Sequence, residues 1–321
     1  MTPPLLEVRH LKKSFPVKEG LLMRAKNFNQ AVNDISLFIQ PGETLGLVGE
    51  SGCGKSTLGR CLVKLYQPDQ GQILFNGKDI NTHNKPERKQ YRSAVQMIFQ
   101  DPLESLNLRH TIEQILTEPF AIHRIGDRKW RLKRVQVLLD LVGLPSNSTS
   151  RYPFEFSGGQ RQRIGIARAI ALGPELIVCD EAVSALDVSI QSQIINLLLD
   201  LQVEFNMAYL FISHDLAVVK HFSDRVAVMY LGRIVETADS ETIYTNQKHP
   251  YTKSLIDSIP VPDPHHKANQ FILQGDIPSA INPPSGCHFN TRCPKVMPVC
   301  KIDEPKLRVE SSSHSFSCHL D

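Results

Sequence analysis

The stretch Gly49-Glu50-Ser51-Gly52-Cys53-Gly54-Lys55-Ser56 decides the reading of this chain. Its small residues let successive backbone N–H groups converge on one point, and a helix starting at the end of the loop adds the positive end of its dipole. Such a cradle suits a polyanion. In it Lys55 supplies a point charge to the β- and γ-phosphates of a triphosphate, and Ser56 a hydroxyl to Mg²⁺. The residues just before, Thr44-Leu45-Gly46-Leu47-Val48, are apolar enough for a buried parallel strand, so the loop has the strand-loop-helix context that the motif requires. In a chain of this length and average composition the pattern arises by chance about once in a hundred.

Upstream, Leu5-Leu6-Glu7-Val8 and Ile35-Ser36-Leu37-Phe38-Ile39 alternate apolar and polar as half-buried antiparallel strands do. Between them Pro16 to Gln30 follows neither period and is expected to be an exposed loop. Downstream, Thr111 to Gly143 turns helical, with Val135, Leu138, Leu139 and Val142 on one face. Leu176-Ile177-Val178-Cys179 and Tyr209-Leu210-Phe211-Ile212 read as buried strands around a helix that aligns Ile190, Ile194, Leu197, Leu198 and Leu201. Strands alternating with helices predict an α/β core with a parallel sheet. After about Asn246 prolines accumulate, at 250, 260, 262, 264, 278, 283 and 284, and a loop-rich appendix is expected.

Two further constellations carry chemistry. In Leu176 to Glu181 a buried strand delivers two carboxylates to its C-terminal edge, where α/β sheets bind ligands. Asp180 there would hold Mg²⁺ through water, and Glu181 would orient or deprotonate the attacking water. Ser157-Gly158-Gly159-Gln160 opens a second glycine-lined helix N-terminus suited to phosphate. One nucleotide needs one cradle, so the second is expected to serve an ATP bound on another chain in a head-to-tail dimer.

In this order and spacing the elements resemble the ATP-binding cassette of membrane transporters, over roughly residues 5 to 245. The resemblance implies a P-loop NTPase fold with an antiparallel β subdomain and a helical subdomain at about 101–172. It implies that Gly49, Ser51, Gly52, Cys53, Gly54, Lys55, Ser56 and Thr57 hold Mg-ATP. It makes Phe156 to Gln160 the signature loop, with Ser157 and Gly159 on the partner's γ-phosphate and Phe156 where leucine is more usual. Gln100 then senses Mg²⁺ and lies in the loop that contacts the membrane subunits. Ser184-Ala185-Leu186-Asp187 becomes the dimer-crossing loop, His214 the switch residue bracing the γ-phosphate and Glu181, and Phe15 the aromatic on adenine. Ala182 stands where the family often has proline, a change that relaxes the backbone and is not expected to cost activity.

The 321 residues, 41% hydrophobic and 21% charged, describe a globular protein of two parts. A net charge of +3 is too small to make nucleic acid the partner. No apolar run approaches the roughly 18 residues needed to span a bilayer, and Met1 to Leu11 lacks a signal-peptide layout, so a cytoplasmic location is expected. Cys287, Cys293, Cys300 and Cys318 cluster near the end. In a reducing compartment such a set reads as metal ligation before disulfides. The spacing is not that of zinc ribbons, and four thiolates suit either zinc or an iron–sulfur cluster; His288, His314 and His319 keep a mixed Cys/His zinc site open.

His249-Pro250-Tyr251-Thr252, Pro283-Pro284-Ser285-Gly286-Cys287 and Asn290-Thr291-Arg292-Cys293 are similar to the C-terminal region of ATPases from dipeptide and oligopeptide importers. Within that family the likeness is to the F-type dipeptide-permease ATPase subunits. It implies an ATPase domain over 1–245 and an extension over 246–321 whose four cysteines hold a [4Fe–4S] cluster. It also implies a second, paralogous ATPase subunit, two membrane-spanning permease subunits, a solute-binding protein, and a peripheral position on the cytoplasmic face of the inner membrane. Nickel or another small solute is the alternative cargo. A non-transport ABC ATPase would ordinarily carry two cassettes or a long coiled coil, which this sequence lacks, and a redox-sensing binder would not need Glu181 and His214.

Overall fold

The computed structural model describes residues 3–19, 24–184, 186–259, 275–311 and 313–320. In chain order the elements begin with β1 (Leu6–Glu19), β2 (Arg24–Ile39), β3 (Thr44–Val48), α1 (Lys55–Leu62), β4 (Gln70–Phe75), β5 (Lys78–Asp79), α2 (Lys85–Ala94) and β6 (Val95–Ile98). They continue with α3 (Pro102–Ser105), α4 (Ile112–His123), α5 (Arg128–Leu141), α6 (Gly158–Ile170), β7 (Leu176–Asp180), α7 (Val188–Phe205) and β8 (Ala208–Ile212). The chain ends with α8 (Leu216–Phe222), β9 (Arg225–Tyr230), β10 (Arg233–Asp239), α9 (Ser240–Thr245), α10 (Pro250–Asp257), β11 (Arg308–Val309) and β12 (Ser315–Phe316).

Contacts divide the chain into two compact units, the first made of Met1–Ile39, Thr44–Asp79 and Ser213–Asp321, the second of Gln40–Glu43 and Ile80–Ile212. The first unit contains an antiparallel sheet in the order β2-β1-β4-β5. The expected opening strands meet there, Leu6 opposite Ile39 and Val8 opposite Leu37, with Leu6, Val8 and Ile39 essentially without solvent exposure. The same unit contains the order β11-β12-β10-β9-β3, in which β3 runs parallel to β9. All five residues of β3 are buried, as its unbroken apolar run predicts.

The segment Pro16 to Gln30, expected as a loop, is instead mostly strand. Phe15 pairs with Asn29, Pro16 with Phe28 and Val17 with Asn27 in an extension of the β1–β2 ladder. Apolar alternation marks a strand only where one face lies on a core, and here Phe28 and Pro16 are exposed. Backbone pairing makes this arm, and register shifts on either side of Phe15 absorb the irregularity around Pro16.

The second unit holds the parallel strands β8, β7 and β6 in that order. Every residue of β7 and β8 is buried. The predicted helical stretch becomes α4 and α5, with Val135, Leu138, Leu139 and Val142 at zero exposure. Of the face proposed for α7, Ile194, Leu198 and Leu201 are buried and Ile190 and Leu197 half-buried.

The appendix after Asn246 is built into the first unit. Strand β12 pairs with β10, Glu236 opposite Phe316 and Thr237 opposite Ser315. The fully buried Glu236 carboxylate accepts the N–H groups of Lys248 at 2.7 Å and His249 at 2.9 Å, and lies 2.8 Å from His314 Nε2. Burying that carboxylate is tolerable because each oxygen has a partner. The first compact unit thus contains residues on both sides of position 245. Pro260, Pro262 and Pro264 lie outside the described residues. No helix among the described residues is long and apolar enough to cross a membrane.

Candidate functional site

In the first unit β3 leads into the phosphate loop and α1 leaves it. Gly54 is the N-cap of α1, with φ of 108° and no side-chain hydrogen bond closing the helix end. The first-turn N–H groups of a helix have no intrahelical acceptor, so an uncapped start suits an anion. A Cβ on Gly54 would lie 1.9 Å from the carbonyl oxygen of Ala31, and one on Gly52 would meet nothing within 4 Å among the described residues. The loop is thus pressed against its own unit on one side and open at Gly52. Lys55 is buried, its Nζ donating to the carbonyls of Gly49 at 2.7 Å and Glu50 at 3.1 Å. Cys53 is buried 3.8 Å from that amine, and burial pushes its thiol up despite the nearby cation.

His214 is exposed just after Ser213, whose N–H donates to Leu47 of β3. Phe15 is half-buried, its ring edge-on to Tyr66 at 5.3 Å with Lys13 Nζ 5.4 Å from its centroid.

The second unit carries the remaining predicted residues. Asp180 ends β7 and is buried. Glu181 follows with φ of 47°, its N–H donating to the carbonyl of Ile212 at 3.0 Å, and Gln100 Nε2 donates to Glu181 Oε2 at 3.0 Å. The structure therefore joins Gln100 to the carboxylate expected to act as base. A left-handed φ on a non-glycine residue is a strained conformation of the kind that gathers at functional sites.

Ser157 caps α6 in a reciprocal box: its hydroxyl accepts from the N–H of Gln160, and the Gln160 side chain accepts from the N–H of Ser157. Gly159 is buried against α7, where a Cβ would stand 2.5 Å from Ile190 Cγ2, and Gly158 is exposed beside Leu186. Asp187 caps α7 by accepting from Ile190 N–H and Ser189 Oγ at 3.0 Å each, and the Ile190 N–H chiefly holds its carboxyl below the usual range. The loop leading into α6 and the loop ending in Asp187 are thus neighbours. Ala185, between them in sequence, is outside the described residues. Phe156 is buried with the Arg151 guanidinium 4.3 Å from its ring centre, so the aromatic replacement is packed in place.

The four late cysteines line one small pocket together with His249 and Phe289. All are free thiols. Burial raises Cys287 to about 11, and burial likewise raises Cys293 and Cys318, each thiol reinforced by its neighbours in the set. Among the described residues no three His, Cys, Asp or Glu side chains are grouped as a single metal ion would require.

Three residues without a predicted role bear on the phosphate loop. Arg292 grips Glu50 through two bonds, Nη1 to Oε2 at 2.6 Å and Nη2 to Oε1 at 2.9 Å. The Tyr251 hydroxyl accepts the N–H of Glu50 at 2.9 Å. Arg292 and Tyr251 stand more than 200 positions from Glu50, so no local sequence pattern reports the pairing.

Residues 32–184 match the family described as ABC transporter, and residues 235–300 the family described as oligopeptide/dipeptide transporter, C-terminal region. The oligopeptide transport ATP-binding protein AppF of Bacillus subtilis is 52% identical over 319 residues, 98% of this chain and 97% of its own length. A probable peptide ABC transporter ATP-binding protein of Sinorhizobium fredii, y4tS, is 49% identical over 100% of this chain and 91% of its own. Among solved structures, the dimeric post-hydrolysis state of the ATP-binding cassette MJ0796 bound to ADP and Pi aligns with a TM-score of 0.65 at 26% identity, covering 73% of this chain and 98% of that one.

Proposed function

The chain belongs to the ABC transporter family, in its oligopeptide and dipeptide branch, and on that premise we propose how it works as the ATP-hydrolysing motor of a peptide importer. The observation that carries the proposal is the phosphate loop, with its uncapped helix start and its buried Lys55. These fit a nucleotide: the open side at Gly52 leaves room, and the α1 N-terminus supplies donors. Gly49 and Ser51 to Thr57 bind the phosphates, and Phe15 takes the adenine. Ser56, Gln100 and Asp180 hold Mg²⁺, which neutralises charge on the phosphates when bound. Glu181 orients the attacking water and receives its proton at the carboxylate, with Gln100 fixing the carboxylate's orientation. His214 braces the same carboxylate. Ser157 to Gln160 and Asp187 serve the nucleotide of a second, paralogous ATPase subunit, so hydrolysis needs two chains.

Residues 246–321 form a functional extension to the ATPase domain over 1–245, and its cysteines hold a [4Fe–4S] cluster. Support comes from the convergence of four free thiols on one pocket. Four thiolates suit a cluster by ligand number and softness, with zinc the alternative occupant. The complex includes two permease subunits and a solute-binding protein, with this chain peripheral on the cytoplasmic face of the inner membrane.

Reconstitution with the permease and paired ATPase subunits tests the reading. ATP hydrolysis should rise when peptide-loaded binding protein is added, and indifference to peptide together with stimulation by nickel would refute peptide as the cargo. Anaerobically purified protein should be brown and contain iron and sulfide; colourless protein with stoichiometric zinc would sink the cluster.

A further inference from the structure

Glu50 is an odd residue for its place. The phosphate motif leaves this position free, and a carboxylate in the loop sets a negative charge near bound phosphates. The cost is removed by one residue of the C-terminal extension. Arg292 is 5% exposed and Glu50 22%, and their paired bonds of 2.6 and 2.9 Å are the fork-to-carboxylate geometry that only arginine makes. The pairing raises Arg292 further above its ordinary value, chiefly through the Glu50 bonds, so the guanidinium stays charged.

Glu50 is held through its side chain, its N–H and its carbonyl. Its side chain is in the Arg292 fork, its N–H donates to Tyr251 Oη, and its carbonyl accepts from Lys55 Nζ. Two of these partners belong to the extension and one is the lysine expected on the phosphates; the Glu50 carbonyl also accepts the N–H of Cys53 within the loop. A shift of Glu50 therefore moves an anchor of Lys55.

The other end of this linkage is the thiol pocket. Arg292 precedes Cys293, and its N–H donates to the carbonyl of Phe289, which lines the pocket. The rings of Phe289, Tyr230 and Tyr251 pack mutually, with centroids 4.7 to 5.4 Å apart. Aromatic packing of this kind transmits displacement because buried rings leave few voids to absorb it.

We propose that Arg292 is a positioning residue of the ATP site: from the C-terminal extension it fixes the phosphate loop through Glu50, and so makes ATP affinity depend on an intact four-cysteine pocket. This rests on the phosphate loop binding ATP and is indifferent to what the pocket holds.

The test is calorimetric titration of the purified full-length chain with Mg-ATP. Arg292→Met, which leaves Glu50 unpaired, should weaken binding about tenfold or more, and Arg292→Lys, which keeps charge and loses the fork, about threefold. The doubly neutral Glu50→Gln/Arg292→Met variant carries no unpaired charge and should still bind at least about threefold more weakly than the parent, because the loop has lost its anchor. Cys293→Ala should weaken binding severalfold in the parent and by less than about twofold in the doubly neutral background. Parent-like affinity in the doubly neutral variant would overturn positioning, and so would its failure to fold by circular dichroism, which would make the pair a structural staple. An equal effect of Cys293→Ala in both backgrounds would overturn the link to the pocket. Iron, sulfide and zinc content, measured on the same samples, reports separately on the occupant.

Discussion

Gly54→Ala and Gly52→Ala are near-identical changes in one loop, and the structure predicts that their costs differ sharply. Both positions have positive φ, 108° and 78°, so both substitutions strain the backbone. For a methyl group that strain is about 1–2 kcal/mol, offset by about 0.4–1 kcal/mol from the stiffer unfolded chain. Gly52→Ala should therefore cost about 1 kcal/mol, since its Cβ meets nothing within 4 Å among the described residues. At Gly54 the new Cβ would fall 1.9 Å from the Ala31 carbonyl oxygen and 2.7 Å from Met229 Cε. The methionine end can swing aside; the carbonyl belongs to β2 and can move only with the strand. Forced displacement of packed backbone adds about 1–3 kcal/mol, for a total of about 3 kcal/mol. Nucleotide-free thermal unfolding followed by circular dichroism should place Gly54→Ala several degrees below Gly52→Ala. Calorimetry should show that Gly54→Ala also binds Mg-ATP at least about tenfold more weakly, because the start of α1 is displaced. Equal unfolding midpoints for the two variants would refute the claim that the loop is pressed against β2 at Gly54.

Glu181→Gln should lower ATP turnover of the assembled transporter about 10²- to 10⁴-fold while leaving ATP affinity near that of the parent; turnover at the parent rate would remove Glu181 as the base. Glu236→Ala strips an acceptor from the half-buried N–H of Lys248, the buried N–H of His249 and the buried His314 ring. At about 1–3 kcal/mol for each unsatisfied buried group, it should destabilise the chain by about 3 kcal/mol or more and expose β12 to protease in limited digestion. Cys300→Ala, which removes a buried wall of the thiol pocket, should abolish iron and sulfide retention after anaerobic purification, and unchanged iron content would exclude Cys300 as a ligand.

What could be read in the sequence depended on whether its cause was local. The strand into Gly49, the capping box at Ser157 and the cap at Asp187 are short-range devices, and each lies where its residues place it. The Pro16 to Gln30 arm escaped because it rests on cross-strand hydrogen bonds without a buried face, and side-chain period is silent about those. Glu236 escaped differently: in sequence it is one more charged residue in a strand, and only the fold brings Lys248, His249 and His314 around it. Glu50 and Arg292 repeat the lesson at a longer range. A motif describes the residues that face the ligand, and Glu50 sits inside the motif facing the protein.

The division into units bears on what the extension can influence. Glu181 and Gln100 belong to the second unit, whereas the phosphate loop, Arg292 and the thiol pocket belong to the first. Within the first unit the extension bonds to Glu50 of the phosphate loop, the loop proposed to bind ATP. Interactions that hold substrate and transition state equally alter KM and leave kcat unmoved. A change in the thiol pocket should accordingly appear in the ATP concentration at which the assembled transporter half-saturates, with its maximal turnover kept. If loss of the cysteines instead lowered maximal turnover at saturating ATP, the extension would act on turnover itself, by a route other than Glu50.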